Sequence, residues 1–156
     1  METTHYQSPI GCLKIVTDKQ AIVGLQVIDG NPENEKQVES EILQKACKQL
    51  DEYFEGKRQV FDLPLSTQGT AFQQKVWEEL QRIPYGKTIS YAQLAQSVNH
   101  PKACRAAGSA NGKNPIAIII PCHRVINAGG GLGGYAYGLK IKKQLLELEG
   151  KSTFIP

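Results

Sequence analysis

The chain has 156 residues, a formal net charge of +3 and 40% hydrophobic residues, which is enough for one domain or two small ones that bury about two thirds of their unfolded surface. It shows no signal peptide and no apolar run long enough to cross a bilayer, so no membrane association and a cytoplasmic location are expected. Its four cysteines lack paired spacing, which predicts reduced thiols rather than a disulfide framework.

The potential metal ligands are scattered. The three histidines, His5, His100 and His123, have no spacing with the cysteines that is typical of a metal site. We therefore expect neither a metal nor a cofactor.

Charge is distributed unevenly along the chain. Residues 1–69 carry 7 Lys+Arg against 11 Asp+Glu, whereas residues 70–156 carry 11 against 4, and no acidic residue lies between Glu79 and Glu147. This basic second half favours a polyanionic partner, with nucleic acid the leading candidate. A basic surface that serves only solubility is the alternative.

The first half of the chain predicts a small α/β unit. Residues 1–30 are expected to form an antiparallel meander of two or three strands with a turn at residues 8–11. Asn31-Pro32-Glu33 predicts the start of a helix that Gly56 ends. Its apolar positions repeat at helical spacing and predict a core-facing stripe: Val38, Ile42, Ala46, Leu50 and Phe54. Nothing in this half suggests catalysis.

A linker or edge strand is predicted at residues 61–66, because Pro64 cannot donate to a ladder. Thr70 then predicts the N-cap of a second helix. One apolar face of that helix is expected to be buried: Phe72, Val76, Trp77 and Leu80. At this spacing Trp77 is interpreted as a core residue and not as a platform on which a base stacks.

The next segment predicts a helix-turn-helix. Ser90 can cap a short helix with Tyr91 on its apolar face, and Pro101 predicts the first position of another. Apart from Arg105, every residue of this second helix from 103 to 110 is Ala, Cys, Gly or Ser. The face predicted to pack consists of Ala103, Ala106, Ala107 and Ala110. The face predicted to be exposed consists of Lys102, Arg105, Ser109 and Gly112.

Such a smooth helix lacks the long polar side chains that read base edges. It suits close approach to a nucleic-acid backbone or a narrow groove, with weak sequence preference. The alternative is a tight helix-helix contact, which small residues also allow.

The candidate nucleophile follows an apolar run. Residues 116–120 predict a buried strand, which Pro121 ends because it has no N–H and a fixed φ. Cys122 would then stand on a rigid edge beside His123, an arrangement typical of a reactive thiol. The alternative is a cysteine that only packs.

Two further elements complete the chain. The glycine-rich residues 128–138 lack the Gly-Lys-Ser/Thr ending of a phosphate cradle and predict a mobile loop that walls a ligand pocket. Residues 139–149 predict a final helix whose buried side is Ile141, Leu145, Leu146 and Leu148. Glu149 lies at the edge of that side, where a carboxylate needs a partner, unless the helix end is frayed in solvent; Glu147 is turned away.

Together these segments resemble the O6-alkylguanine-DNA alkyltransferases, single-use repair proteins that move an alkyl group from a damaged base onto their own cysteine. The resemblance rests first on Pro121-Cys122-His123-Arg124-Val125. Further matches follow in order over more than half of the chain: Thr70-Ala71-Phe72-Gln73, Val76-Trp77, Ile83-Pro84-Tyr85-Gly86, Ser90-Tyr91, Asn114-Pro115, Tyr135, Leu145-Leu146 and Glu149-Gly150.

The resemblance implies a fold of the α/β + α type. Residues 1–66 would form a small ribonuclease-H-like α/β subdomain that serves as structural support. Residues 67–156 would form a helical, winged-helix-like DNA-binding domain with a helix-turn-helix, and this domain would carry the active-site cysteine.

The expected site follows from the residues and the resemblance together. Glu149 would orient His123, which would take the proton of Cys122 through a water, since adjacent residues on an extended chain point apart. The resemblance implies that Asn114 links the recognition helix to the active site and that Tyr91 donates a hydrogen bond or proton to the departing guanine.

The resemblance also implies a DNA-binding surface and a base pocket. Arg105 would fill the gap left by an extruded nucleotide. The other DNA-binding candidates are Ser90, Tyr91, Lys102, Ala103, Gly108 and Ser109. The pocket candidates are Val125, Tyr135, Ala136, Tyr137 and Gly138. Tyr137 replaces the small residue expected in many relatives, and so narrows the pocket and limits bulky alkyl groups.

The expected function is single-turnover repair of O6-alkylguanine in double-stranded DNA by a monomer, with O4-alkylthymine as a further candidate substrate, after the base is flipped out. Two alternatives are a non-catalytic helix-turn-helix regulator, which would use Cys122 for packing, and a Cys-His hydrolase, which would turn over.

Overall fold

The computed structural model describes residues 1–30 and 40–150. The predicted helix start at residues 31–33 and the predicted core residue Val38 lie outside the described residues. Contacts divide the chain into two compact units, one with residues 1–67 and 115–117 and the other with the rest. Among the described residues, no helix combines the length and the apolar character needed to span a membrane.

The first unit contains the predicted meander. Strands β1 (Glu2–Ser8), β2 (Gly11–Thr17) and β3 (Ile22–Ile28) pair antiparallel in the order β1-β2-β3. Their inward-facing residues are fully buried: Leu13, Ile15, Ile22 and Leu25. The turn at residues 8–11 is confirmed, with the Ser8 hydroxyl donating to the Gly11 carbonyl at 2.7 Å. Gly11 has a φ of +122°, which a residue with a Cβ rarely adopts.

Helix α1 (Glu41–Phe54) packs on β1 and β2. The predicted apolar stripe is partly wrong, because Ile42 and Phe54 are half-buried while Leu43 and Tyr53 are fully buried. The helix is followed by Gly56 with a φ of +76°, as predicted.

The segment after α1 returns to the sheet. Gln49 donates to the Asp62 carbonyl at 3.0 Å and accepts from its N–H at 2.9 Å, which anchors the chain just before Pro64. The Pro64 carbonyl then accepts from Ile22 at 2.8 Å, and Leu65 forms an isolated parallel bridge with Ile22. The prediction of an edge position is therefore confirmed.

The second unit is mostly helical. Its elements are α2 (Ala71–Gln81), β4 (Ile89–Ser90), α3 (Tyr91–Ser97), α4 (Cys104–Gly112), β5 (Val125–Ile126) and α5 (Leu139–Leu148). Thr70 and Ser90 each form a capping box with the residue three positions later, so both predicted N-caps are confirmed. Trp77 is 3% exposed, and its indole donates to the Ala110 carbonyl of α4 at 2.9 Å, which confirms it as a core residue.

The start of α4 differs from the prediction. Pro101 lies in the turn, and the helix begins three residues later, after Ala103. The chain leaves α3 after Ser97 and turns through Asn99, which has a φ of +63°, before α4 begins. Ala106 is exposed rather than packed, and the buried side of α4 consists of Ala107, Ala110 and Asn111.

Residues 116–120 are buried as predicted, but the predicted strand is wrong because they do not form one. Only Ile116 bridges β3, through Leu25, and Ile118 then adopts a φ of +72°. A β-branched residue in this region costs about 1–3 kcal/mol, which other contacts must offset. One such contact is the Asn114 side chain, which donates to the Ile120 carbonyl at 2.7 Å and closes the turn.

Candidate active site

Cys122 begins a single 3₁₀ turn, Cys122–Arg124, and is 5% exposed. Its N–H donates to the Ile120 carbonyl at 2.8 Å. Its carbonyl accepts from the Asn111 side chain at 3.3 Å. Side-chain amides from the end of α4 and the loop after it therefore hold the segment that leads into the turn, because Asn114 binds the Ile120 carbonyl and Asn111 binds the Cys122 carbonyl. The expected extended chain at Cys122–His123 is wrong.

Asn111 was not singled out from the sequence. A signal was present, because Asn111 lies four residues after Ala107 and so on the same helical face. A polar side chain on that packed face needs a partner, and it is 4% exposed.

A buried network lies beside Cys122. The Glu149 carboxylate accepts from His123 Nε2 at 2.7 Å and from Arg124 Nε and Nη2 at 2.7 and 3.1 Å. Arg124 Nη1 donates to the Ile83 carbonyl at 2.7 Å, and the Tyr85 ring centroid lies 5.8 Å from the guanidinium carbon. The predicted partner of Glu149 is thus present, and the frayed helix end is excluded.

The network fixes the His123 tautomer. Because the Glu149 carboxylate can only accept, Nε2 of a neutral His123 must carry the proton. His123 Nδ1 is then an acceptor, and within the described residues it has no hydrogen-bond partner. This leaves one lone pair for an incoming proton.

The network lowers the pKa of both Glu149 and His123. Burial would raise the pKa of Glu149, but hydrogen bonds and charges from His123 and Arg124 outweigh it and lower that pKa to about 2. Burial lowers the pKa of His123 despite the opposing effect of Glu149. At neutral pH the pair is therefore a carboxylate beside a neutral imidazole.

Burial also raises the pKa of the Cys122 thiol. Asn114, Lys142 and Tyr135 act in the opposite direction without cancelling that rise. The resting form is therefore a thiol, which needs a base to become nucleophilic.

A cavity of about 190 Å³ lies above the thiol. Its lining residues are Tyr91, Gly108, Asn111, Gly112, Asn114, Cys122, Gly134, Tyr135, Ala136 and Tyr137. Of the predicted pocket residues, Val125 and Gly138 are not in this lining: Val125 is fully buried and Gly138 precedes α5.

Three contacts shape the cavity wall. The Tyr91 hydroxyl donates to the Gly134 carbonyl at 3.3 Å. Gly133 has a φ of +72°, and a Cβ there would lie 2.8 Å from the Tyr91 ring, so only glycine allows the loop to approach so closely. The rings of Tyr135 and Tyr137 meet edge to face, with centroids 5.6 Å apart.

The predicted DNA-binding residues lie in several places. Arg105 and Ser109 are exposed on α4 and Lys102 is exposed in the turn before it, whereas Tyr91 and Gly108 line the cavity. Ala103 immediately precedes α4, and the Ser90 side chain caps α3 by accepting from the Gln93 N–H at 3.1 Å.

Part of the basic excess lies inside the unit. Arg124 is 6% exposed and Lys142 is fully buried, so neither adds to the positive surface. Sequence reasoning missed Lys142, because it assigned the buried side of α5 to Ile141 and Leu148, which are only half-buried. The observed buried positions are Lys142, Leu145, Leu146 and Glu149.

Comparison with known proteins identifies the family. A profile described as 6-O-methylguanine DNA methyltransferase, DNA binding domain, matches residues 71–151, and one described as 6-O-methylguanine DNA methyltransferase, ribonuclease-like domain, matches residues 1–67. A methylated-DNA–protein-cysteine methyltransferase of Methanosarcina acetivorans is 46% identical over 93% of this chain and 96% of its own.

A relative of the same name from Mycobacterium leprae is 47% identical over 91% of this chain and 88% of its own. The crystal structure of Mycobacterium tuberculosis OGT in complex with DNA superposes with a TM-score of 0.87 at 42% identity, covering 96% of this chain and 92% of that one. The ribonuclease-like and DNA-binding parts expected from the sequence are thereby confirmed. The chain belongs to the 6-O-methylguanine DNA methyltransferase family.

Proposed function

We propose that this protein repairs DNA by moving the alkyl group of O6-alkylguanine irreversibly onto its own Cys122. The observation that carries the proposal is the buried carboxylate–imidazole pair beside a thiol that forms the floor of a small cavity. Relatives named as methylated-DNA–protein-cysteine methyltransferases support the reaction class, and a structural relative in complex with DNA supports DNA as the partner.

The transfer is a displacement at saturated carbon. His123 Nδ1 accepts the Cys122 proton, through a water, while Glu149 holds the ring and stabilises the imidazolium. The sulfur then forms a bond to the alkyl carbon as the bond from that carbon to O6 breaks, and the electron pair passes to the guanine. The proton taken from the thiol is returned to the guanine, so charge and atoms balance.

Tyr91 is positioned to assist the leaving group. Its hydroxyl lies at the cavity wall, and its bond to the Gly134 carbonyl is long at 3.3 Å. A base in the cavity offers a better acceptor for this O–H. Burial raises the pKa of Tyr91, so the group stays a neutral donor at neutral pH.

The substrate base must leave the duplex to reach the thiol. Cys122 is 5% exposed and lies at the cavity floor, which a stacked base cannot approach. In the proposed complex α4 lies against the DNA and Arg105 occupies the vacancy, which offsets part of the few kcal/mol that extrusion costs. Lys102 and Ser109 contact the backbone beside it.

The product determines the stoichiometry. A thioether does not hydrolyse readily, so each molecule reacts once. We propose that the protein acts as a monomer on DNA in the cytoplasm and does so without a cofactor. O4-alkylthymine is included as a second substrate of the same site.

The direct test is intact mass spectrometry after mixing the protein with an oligonucleotide that contains O6-methylguanine. We expect one methyl group per molecule, mapped to Cys122, and none in Cys122→Ala. Cys104→Ala is the matched control, because Cys104 is the exposed cysteine of α4 and its loss should leave the transfer intact. Release of several products per protein would favour a hydrolase, and binding without loss of the lesion would favour a regulator.

Tyr137 should limit the size of the alkyl group. Its ring packs on Tyr135 at the cavity wall, so Tyr137→Ala is expected to raise the rate with O6-benzylguanine relative to O6-methylguanine by about tenfold or more. Single-turnover rates on the two oligonucleotides measure the ratio. Tyr137→Phe keeps the ring and should keep the wild-type ratio; an unchanged ratio in Tyr137→Ala would show that the ring does not restrict the pocket.

A further inference from the structure

Lys142 is a cation that the proposed transfer does not use. It lies on the buried side of α5 and is fully buried. Lysine is almost never fully buried unless it is paired, because its charge loses the solvation of water. No carboxylate lies within ion-pair distance of its Nζ among the described residues. The desolvation of this charge therefore lowers stability without an ion pair to offset it, and a functional role would explain why the lysine is kept.

The ammonium joins two parts of the cavity wall. Nζ donates to the Val125 carbonyl of β5 at 2.6 Å and to the Gly134 carbonyl of the glycine-rich loop at 3.0 Å. The centroid of the Tyr91 ring lies 5.8 Å away. Because Gly134 also accepts from Tyr91, one loop carbonyl is held by both α3 and α5.

The charge of Lys142 acts on the reacting groups. The titratable groups that face it are Tyr91 from α3 and Cys122 and His123 from the 3₁₀ turn. Its positive charge lowers the pKa of the Cys122 thiol and that of the His123 imidazole. The first effect favours the thiolate that attacks carbon, and the second favours return of the proton from the His123 imidazolium to the departing guanine.

We propose that Lys142 is a positioning residue for the alkyl transfer, a buried cation that stabilises the Cys122 thiolate and holds the glycine-rich loop against β5. This inference rests on the proposed function, because the alkyl transfer is the reaction that the stabilised thiolate would serve. It is nevertheless separate in its chemistry, since a cation beside a thiol changes that thiol's reactivity towards any small electrophile.

The pH range of the effect follows from Lys142 itself. Burial lowers the pKa of Lys142 to about 8, although the negative charge of Cys122 opposes the shift. The cation is therefore present below about pH 8 and is lost above it. Its help to the thiolate should be confined to the lower range.

The test uses iodoacetamide and no DNA. The rate of carbamidomethylation of Cys122 is followed by peptide mass spectrometry from pH 6 to pH 10 in the wild type, Lys142→Met and Lys142→Gln. Glutamine keeps a donor for the carbonyls on a side chain one bond shorter and removes the charge. In both variants we expect the rate below pH 8 to fall about tenfold, as for a rise of one unit in the thiol pKa, and to converge on the wild-type rate above pH 9.

Two controls make the outcome decisive. Lys143→Met removes the neighbouring lysine, whose side chain is 56% exposed, and should leave the profile unchanged. Lys142→Arg keeps the charge and should retain most of the rate. A loss that is equal at every pH, no loss in a folded neutral variant, or failure of both neutral variants to fold would assign Lys142 a purely structural role and overturn the proposal.

The iodoacetamide assay tests the role of Lys142 and the methyl-transfer assay tests the proposed function, so either proposal can fail while the other is supported. If wild-type protein takes a methyl group from DNA but the iodoacetamide profiles coincide, only the role of Lys142 is wrong. If the profiles differ as expected while no methyl group is transferred, the effect of Lys142 on the thiol is supported and the proposed repair function is wrong.

Discussion

Replacing Glu149 with glutamine is expected to slow methyl transfer by about 10²–10⁴-fold, the usual contribution of a positioned general base. The carboxylate of Glu149 fixes the proton on His123 Nε2 and keeps Nδ1 free for the thiol proton. An amide can present either its oxygen or its NH₂ to the ring, and the second choice reverses the tautomer. Single-turnover rates on an O6-methylguanine oligonucleotide measure the loss.

The same substitution should alter the pH dependence of stability. The pKa of Glu149 lies at about 2 in the folded protein, below its ordinary value of 4.5. A lowered carboxyl pKa stabilises the fold above the unfolded pKa, and this contribution is lost as the pH falls from about 4.5 towards 2. The free energy of unfolding should therefore fall less over this range in Glu149→Gln than in the wild type.

Glu147→Gln is the matched control, because Glu147 lies two residues earlier and its side chain is 46% exposed in a loose pair with Lys143. It should change neither the transfer rate nor the fall in the free energy of unfolding at acid pH. A Glu149→Gln protein that transfers methyl groups at the wild-type rate would show that Glu149 serves stability alone.

Where the sequence carries a local signal, the structure could be predicted from it. Thr70 and Ser90 are followed three residues later by glutamine, and this spacing alone specifies a capping box. The need of Glu149 for a partner followed from the cost of burying a carboxylate. That Arg124 would be one of these partners did not follow, because its place beside His123 in the sequence does not indicate where its side chain points.

The errors have a common physical cause. Residues 116–120 have the composition of a buried strand, but the φ of Ile118 and the bond from Asn114 to the Ile120 carbonyl turn the chain instead. Tertiary contacts overrode local propensity there. Lys142 was missed for the related reason that a buried cation is improbable until its carbonyl acceptors are known.

Substituting Arg124 with methionine is expected to lower the free energy of unfolding by about 3–5 kcal/mol, because it leaves a buried carboxylate without its cation. Arg124 provides two of the hydrogen bonds to Glu149 and one to the Ile83 carbonyl. Its charge also lowers the pKa of His123, so the acid limb of the transfer rate should move to higher pH in the variant.

Urea denaturation compares this variant with Arg82→Met. Arg82 donates to Glu79 at 2.6 Å, a distance as short as those in the buried network, but its side chain is 74% exposed. An exposed pair contributes only about 0–1 kcal/mol, so Arg82→Met should leave the free energy of unfolding nearly unchanged. If the two variants lose the same stability, the Glu149–Arg124 pair does not hold the turn that carries Cys122, and the position of the nucleophile must depend on Asn111 and Asn114 instead.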